Sequence, residues 1–319
     1  VSNMPAGGSV RWSVPPSNSG DFIIKNGPAV IVGESVTVQG IKPGLSNIDV
    51  EVRDVNDTVV QSMKLPLSIP QFVTIREDAA AFDQVLADLS LTALKNDLIS
   101  KTKVVCDALL VDANVRTIWQ LGSFMEVTPA HIPANMITVA TIKNRLAAGN
   151  RTFGQTNQAP GEVGNIVPNR TIDVFPGAYD EPMGGGAFSD TELETQALMI
   201  QLESQGVGGD PALESFAVDV YGRLIGETLA HEIVHALLWD IVIQDGHNDP
   251  SINNDIMNSG SQRTFTQRTG FVDDAHQSPV VPANFSDNGI AAINRLQALN
   301  LSRMDANFPV PGTRVSAFK

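Results

Sequence analysis

The stretch Tyr221–Leu238 constrains this chain more than any other part of it. Its apolar residues Leu224, Ile225, Leu229, Ile233, Val234 and Leu237 recur three and four apart, the spacing of a helix with a broad buried side. Inside that helix stands His231-Glu232-Ile233-Val234-His235. At ~100° per residue, His231 and His235 project from one face a turn apart, close enough for both imidazoles to reach one Zn²⁺ at ~2.0–2.1 Å. Glu232 is offset by one residue, which places it beside such a metal as a base for water rather than as a ligand. A shuffled chain with 5 His and 12 Glu would contain this pattern about three times in a thousand. Two solvated histidines on a polar face would be the bland alternative, but the apolar flanks bury the segment, and buried polar groups without partners cost several kcal/mol each.

Composition narrows what can complete the site. Cys106 is the only cysteine, so neither an internal disulfide nor a cysteine-based zinc cluster is available. Any metal must sit on histidines and carboxylates. Within a helical pattern beside Val104, Val105 and Leu109, the Cys106 thiol reads as buried and inert. A net charge of −14 repels a phosphate backbone and argues against nucleic acid as a partner. With 42% hydrophobic and 18% charged residues the chain reads as globular, and no apolar run approaches the ~18–20 residues of a membrane helix. Its start at Val1, without an initiator Met or a signal-like stretch, fits a processed product.

The 319 residues exceed a typical domain of ~100–200 and divide by pattern. Up to residue 76, Gly, Pro and Ser punctuate short alternating runs, Ser35–Gln39 and Asp49–Arg53 among them, which predict strands. Asn56-Asp57, before Thr58-Val59-Val60, predicts a hairpin turn, because both residue types tolerate left-handed backbone. This region, 1–76, resembles small all-β, immunoglobulin-like modules. From residue 77 to 319 helical spacing dominates: Phe82, Val85, Leu86 and Leu89, then Leu94 and Leu98, then Val105, Leu109 and Leu110. Strands are predicted around Met136–Thr141 and Thr171–Phe175, joined by an Asn/Gly/Pro-rich connection at 149–168 without a period. Gly184-Gly185-Gly186 lacks the Lys and Ser/Thr of a phosphate loop and reads as a plain loop.

A third ligand is still needed, and no glutamate follows Glu232. His247 and His276 are the later histidines, and Asp245 and Asp249 are the acidic alternatives nearby. The segment Asp245-Gly246-His247-Asn248-Asp249-Pro250, then Asp255-Ile256-Met257-Asn258-Ser259-Gly260, together with His231-Glu232 and His235, resembles the metzincin superfamily of zinc endopeptidases. That family continues its motif to a third histidine and then a tight turn with a Met beneath the metal. The resemblance implies an α+β catalytic domain, a twisted mixed sheet plus helices. It implies Zn²⁺ on His231, His235 and His247, Glu232 as general base, and Met257 as the residue under the metal. The family's Gly and third His positions are Leu238 and Ile241 here, so His247 comes six residues late. It can ligate only if the helix stops short of Gln244, and the β-branched run Ile241-Val242-Ile243 suits such an exit.

Further expectations follow from the resemblance. Phe285–Ile293 looks like the start of the C-terminal helix of matrixin-type members, and Thr171–Phe175 is the candidate edge strand for an extended peptide substrate. Arg263 and Arg268 follow the Met and would either wall the pocket just after the scissile bond or lie exposed. A Tyr ligand after Met257 is not expected, since Ser259 holds that place. The acid-rich stretch Asp245–Asp255 is a candidate Ca²⁺ loop or a solvated one. Location would be secreted or cell-surface. Two rival readings remain: a binding or adhesion protein with a structural zinc, and a zinc hydrolase of a non-peptide amide.

Overall fold

The computed structural model describes residues 4–16, 22–25, 27–41, 44–78, 80–110, 115–130, 132, 137–143, 152–156, 171–178, 190–238, 256, 265–273 and 280–289. It is a mixed α+β structure with two separate apolar clusters.

The N-terminal region supplies β1 (Ser9–Ser13), β2 (Phe22–Ile24), β3 (Val30–Val32), β4 (Val38–Gly40), β5 (Gly44–Arg53) and β6 (Val59–Ile69). Antiparallel pairing gives a sheet in the order β3-β1-β5-β6, with β2 and β4 as a separate pair. The turn at Asn56-Asp57 forms as the residue types predict. Asp57 is left-handed at φ 62°, and the Asp54 carboxylate accepts from the amides of Asn56 and Thr58 at 2.8 and 2.9 Å. Of Ser35–Gln39, only Val38 and Gln39 join a strand.

The second region begins with β7 (Gln71–Glu77), α1 (Ala81–Asp88), α2 (Lys95–Leu110), β8 (Val115–Leu121), β9 (Phe124–Met125), β10 (Ile137–Ile142), β11 (Gly154–Thr156) and β12 (Thr171–Val174). It continues with α3 (Asp190–Gln205), α4 (Pro211–Leu238), α5 (Phe265–Thr269), β13 (Phe271–Asp273) and β14 (Phe285–Asp287). Six strands form a mixed sheet in the order β11-β12-β10-β7-β8-β9, parallel through its middle with an antiparallel strand at each edge. Thus β7, which runs across a boundary drawn at 76/77, pairs on both sides with strands of the second region, and the division falls before Gln71 instead. Its Val73 and Ile75 belong to the larger core.

Helix α4 runs through the centre of that core. Asp210 caps it, accepting from the amides of Ala212 and Leu213 at 2.9 and 3.2 Å, with Pro211 in the first turn, where a missing N–H costs nothing. On one side α2 packs closely. A Cβ on Gly226 would lie 2.7 Å from the carbonyl of Thr102 and 2.9 Å from Val105 Cβ, so the seam requires glycine there. On another side, Tyr221 hydroxyl donates to Glu203 of α3 at 3.1 Å. On a third, Arg223 makes two bonds to Asp287 at 2.8 and 2.7 Å, donates to Thr269 carbonyl at 2.6 Å and lies over the Phe271 ring. This fastens α5 and the β13–β14 hairpin to the helix. Among the described residues no helix is long and apolar enough to cross a membrane.

Two expectations fail here. Thr171–Val174 is an interior strand, flanked by β10 and β11, so it is not the sheet edge. The edge is Gly154–Thr156, three residues with no apolar alternation to announce them. Phe285–Asp287 is a strand rather than the start of a helix, because Phe285 stacks into the cluster of Phe216 and Phe265 while its neighbours pair with β13. Residues from Ile290 onward lie outside the described residues.

Candidate metal centre

His231, Glu232 and His235 lie on the last two turns of α4 and are buried, 5–8% exposed. One potential ligand atom from each falls within 4.8 Å of the others. The His231 Nδ1 donates to the carbonyl of Ile256 at 2.6 Å, which fixes the tautomer, since a carbonyl only accepts. The Nε2 lone pair of neutral His231 is thereby aimed at His235, whose Nε2 stands 3.0 Å away. Two imidazoles on a tetrahedral ion at ~2.0–2.1 Å place their nitrogens ~3.3 Å apart, so this pair fits zinc with a small adjustment. Ile256, wholly buried, supplies the backbone oxygen that orients the ring.

The edge strand β11 lies directly against Glu232. Thr156 Oγ is 2.8 Å from the Glu232 carbonyl oxygen and 2.9 Å from its Oε2. A Cβ on Gly154 would lie 2.6 Å from Glu232 Cγ, so glycine is what admits the strand this closely. Burial pushes the Glu232 carboxyl up to about 8; the Thr156 hydroxyl opposes that rise and the Asp173 carboxylate adds to it. A bound cation would favour the ionised form.

A turn earlier on α4, Glu227 receives a bond from Arg268 Nη1 at 3.0 Å, both groups almost fully buried. The same guanidinium lies 5.5 Å from the centroid of Phe153, next to β11. Arg268 is therefore not an exposed surface residue; it ties α5 to the site helix. Cys106 is fully buried, and desolvation pushes its thiol well above the usual range, as expected of an inert cysteine.

The structure thus brings together three of the expected site residues, His231, Glu232 and His235. His247, with the alternatives His276, Asp245 and Asp249, lies outside the described residues, as do Met257, Ser259, Arg263, the Asp245–Asp255 stretch and the helix exit beyond Leu238. Thr156, Gly154 and Glu227 escape sequence reasoning. The first two sit in the aperiodic connection, and Glu227 shows only its place one turn before His231 as a signal. Comparison with protein-family models, curated proteins and solved structures gives no match.

Proposed function

We propose that the chain is a secreted or cell-surface zinc endopeptidase of metzincin type, with strands β1–β6 as an immunoglobulin-like module. The observation that carries the reading is the pair of imidazole nitrogens 3.0 Å apart, with a buried carboxylate beside them against the half-buried edge strand β11. His231 and His235 hold the ion through Nε2, with His247 as third ligand. When bound, zinc supplies a Lewis acid next to the base. Glu232 takes a proton from the attacking water on a carboxylate oxygen and returns it to the leaving amine. An extended peptide lies along β11, whose outer side has no strand paired to it among the described residues.

The test is cleavage of a mixed peptide library by the purified wild type and by Glu232→Gln, with zinc measured in both. Zinc retained in each, and cleavage lowered at least ~10²–10⁴-fold by the substitution, is the expected result. Zinc without cleavage by the wild type contradicts the reading and favours a structural zinc or a non-peptide amide substrate.

A further inference from the structure

We infer that Thr156 is a positioning residue that holds the general base Glu232 in one orientation, and that Gly154 exists to let it do so. The inference deepens the peptidase reading and rests on it for the word base. Its grounds are geometric. A helical backbone leaves a glutamate several side-chain rotamers, so nothing about the backbone of Glu232 fixes which carboxylate oxygen faces a substrate. Thr156 comes from a different element, separated by 76 positions in sequence, and its hydroxyl lies within bonding distance of both the carbonyl oxygen and Oε2 of the same glutamate.

A hydroxyl has one proton, so it donates to one of these oxygens at a time. Both are on Glu232, and either bond keeps Thr156 at the same residue. While the hydroxyl donates to Oε2, that oxygen is the engaged one and Oε1 is left to exchange a proton with water and amine. The carboxylate then need not search rotamers between taking the proton and returning it, which is the gain that fixed geometry brings to a catalytic group. The close approach is possible because residue 154, two positions earlier and facing the same side of the strand, has no side chain. A Cβ there would lie 2.8 Å from Oε1 and 2.9 Å from Thr228 Cγ2. The order Gly-Gln-Thr therefore has a division of labour: Gly154 makes room, Thr156 holds, and Gln155 faces away, its Nε2 3.5 Å from the Asp173 carboxylate.

The test compares Thr156→Val, which keeps the shape and loses the hydroxyl, with Thr156→Ser, which keeps the hydroxyl. A third variant, Gly154→Ala, pushes the strand off the helix. The first readout uses metal-stripped protein, through the ¹³C resonance of the Glu232 carboxyl, assigned by its loss in Glu232→Gln. It should move in Thr156→Val and Gly154→Ala and return towards wild type in Thr156→Ser. The second uses zinc-loaded protein on a library peptide. kcat should fall ~10–100-fold in Thr156→Val with KM and zinc content unchanged, and Thr156→Ser should recover most of it. A carboxyl resonance that stays put in Thr156→Val overturns the inference whatever the protein cleaves. A resonance that moves while wild type cleaves no peptide upholds the held carboxylate and overturns the peptidase reading instead. If Thr156→Val unfolds, Thr156→Ala, which also lacks the hydroxyl, takes its place, and a resonance that stays put in that variant overturns the inference.

Discussion

The side of α4 that meets α2 and the side that meets β11 and α5 belong to one helix and solve opposite problems. Towards α2 the helix presents Gly222 and Gly226, and Lys101, Thr102 and Val105 of α2 lie so close that neither position has room for a Cβ. Towards β11 and α5 the same helix buries Glu227, His231, Glu232 and His235. Three of these have a specific answering atom: Arg268 for Glu227, the Ile256 carbonyl for His231, the Thr156 hydroxyl for Glu232. A site helix must be immobile on one side so that its polar side can be held to tenths of an ångström. The α2 seam depends chiefly on shape, with the partly exposed Lys101–Asp219 ion pair at its rim, and the polar seam on buried pairing, so the two should fail differently.

The largest effect is expected on the polar side. Arg268→Ala leaves the Glu227 carboxylate buried without its cation and should cost ~3–5 kcal/mol in urea unfolding. Replacing both, Glu227→Leu with Arg268→Met, should restore most of that, because removing the pair together removes the burial problem. A single Arg268→Ala variant as stable as wild type would show that Glu227 is satisfied without it.

Next in size is the apolar seam. Gly226→Ala drives a methyl against the Thr102 carbonyl, a backbone atom that cannot rotate aside, and overpacking of this kind costs ~1–3 kcal/mol. The loss should appear as a lower urea midpoint with an unchanged slope. An equal or higher midpoint would mean that the seam is looser than the distances say.

The difference between the seams also explains what could be read in advance. His231, Glu232 and His235 were legible because a helix converts a fixed spacing into a shared face. Helices α1 and α2, β10 and β12 announced themselves by apolar period, as did the hairpin turn at Asn56-Asp57 by residue type. Strand β11 did not, for its work is done by a glycine and a hydroxyl, and neither contributes to a hydrophobic pattern. The same cause misplaced the sheet edge: Thr171–Val174 has the apolar signature of a strand, but only pairing reveals that β11 lies outside it. Strand β14 was hidden for another reason. Its Phe285 reads equally well as a helix or strand anchor, and the ring cluster with Phe216 and Phe265 decides between them. The Arg268–Glu227 pair joins residues 41 positions apart, and no local pattern records such a partnership.

A smaller effect concerns acid. The Arg223 hydrogen bonds hold the Asp287 carboxyl below its usual range, against some desolvation and with help from the Gly289 amide. Because the folded value is the lower one, the stabilisation is complete above the unfolded value of ~3.9 and disappears as pH falls through the folded value. Stability should therefore drop below about pH 4, and Asp287→Asn should flatten that part of the profile. Half of Asp287 is open to solvent, so salt should weaken the effect, whereas it should leave the buried Arg268–Glu227 pair nearly untouched. An acid limb identical in Asp287→Asn would remove Asp287 from the account.

The proposed peptidase turns on a metal held at the polar seam of α4. Zinc content together with zinc K-edge absorption on the purified wild type, His235→Ala and His247→Ala proteins tests it most directly. The expected result is one tightly held zinc per wild-type chain, about one equivalent after dialysis, with nitrogen or oxygen neighbours at ~2.0–2.1 Å and no sulfur, and loss of the metal in both variants. A wild-type protein that carries no transition metal when purified without chelator, or zinc that stays in place in His235→Ala, would contradict the claim.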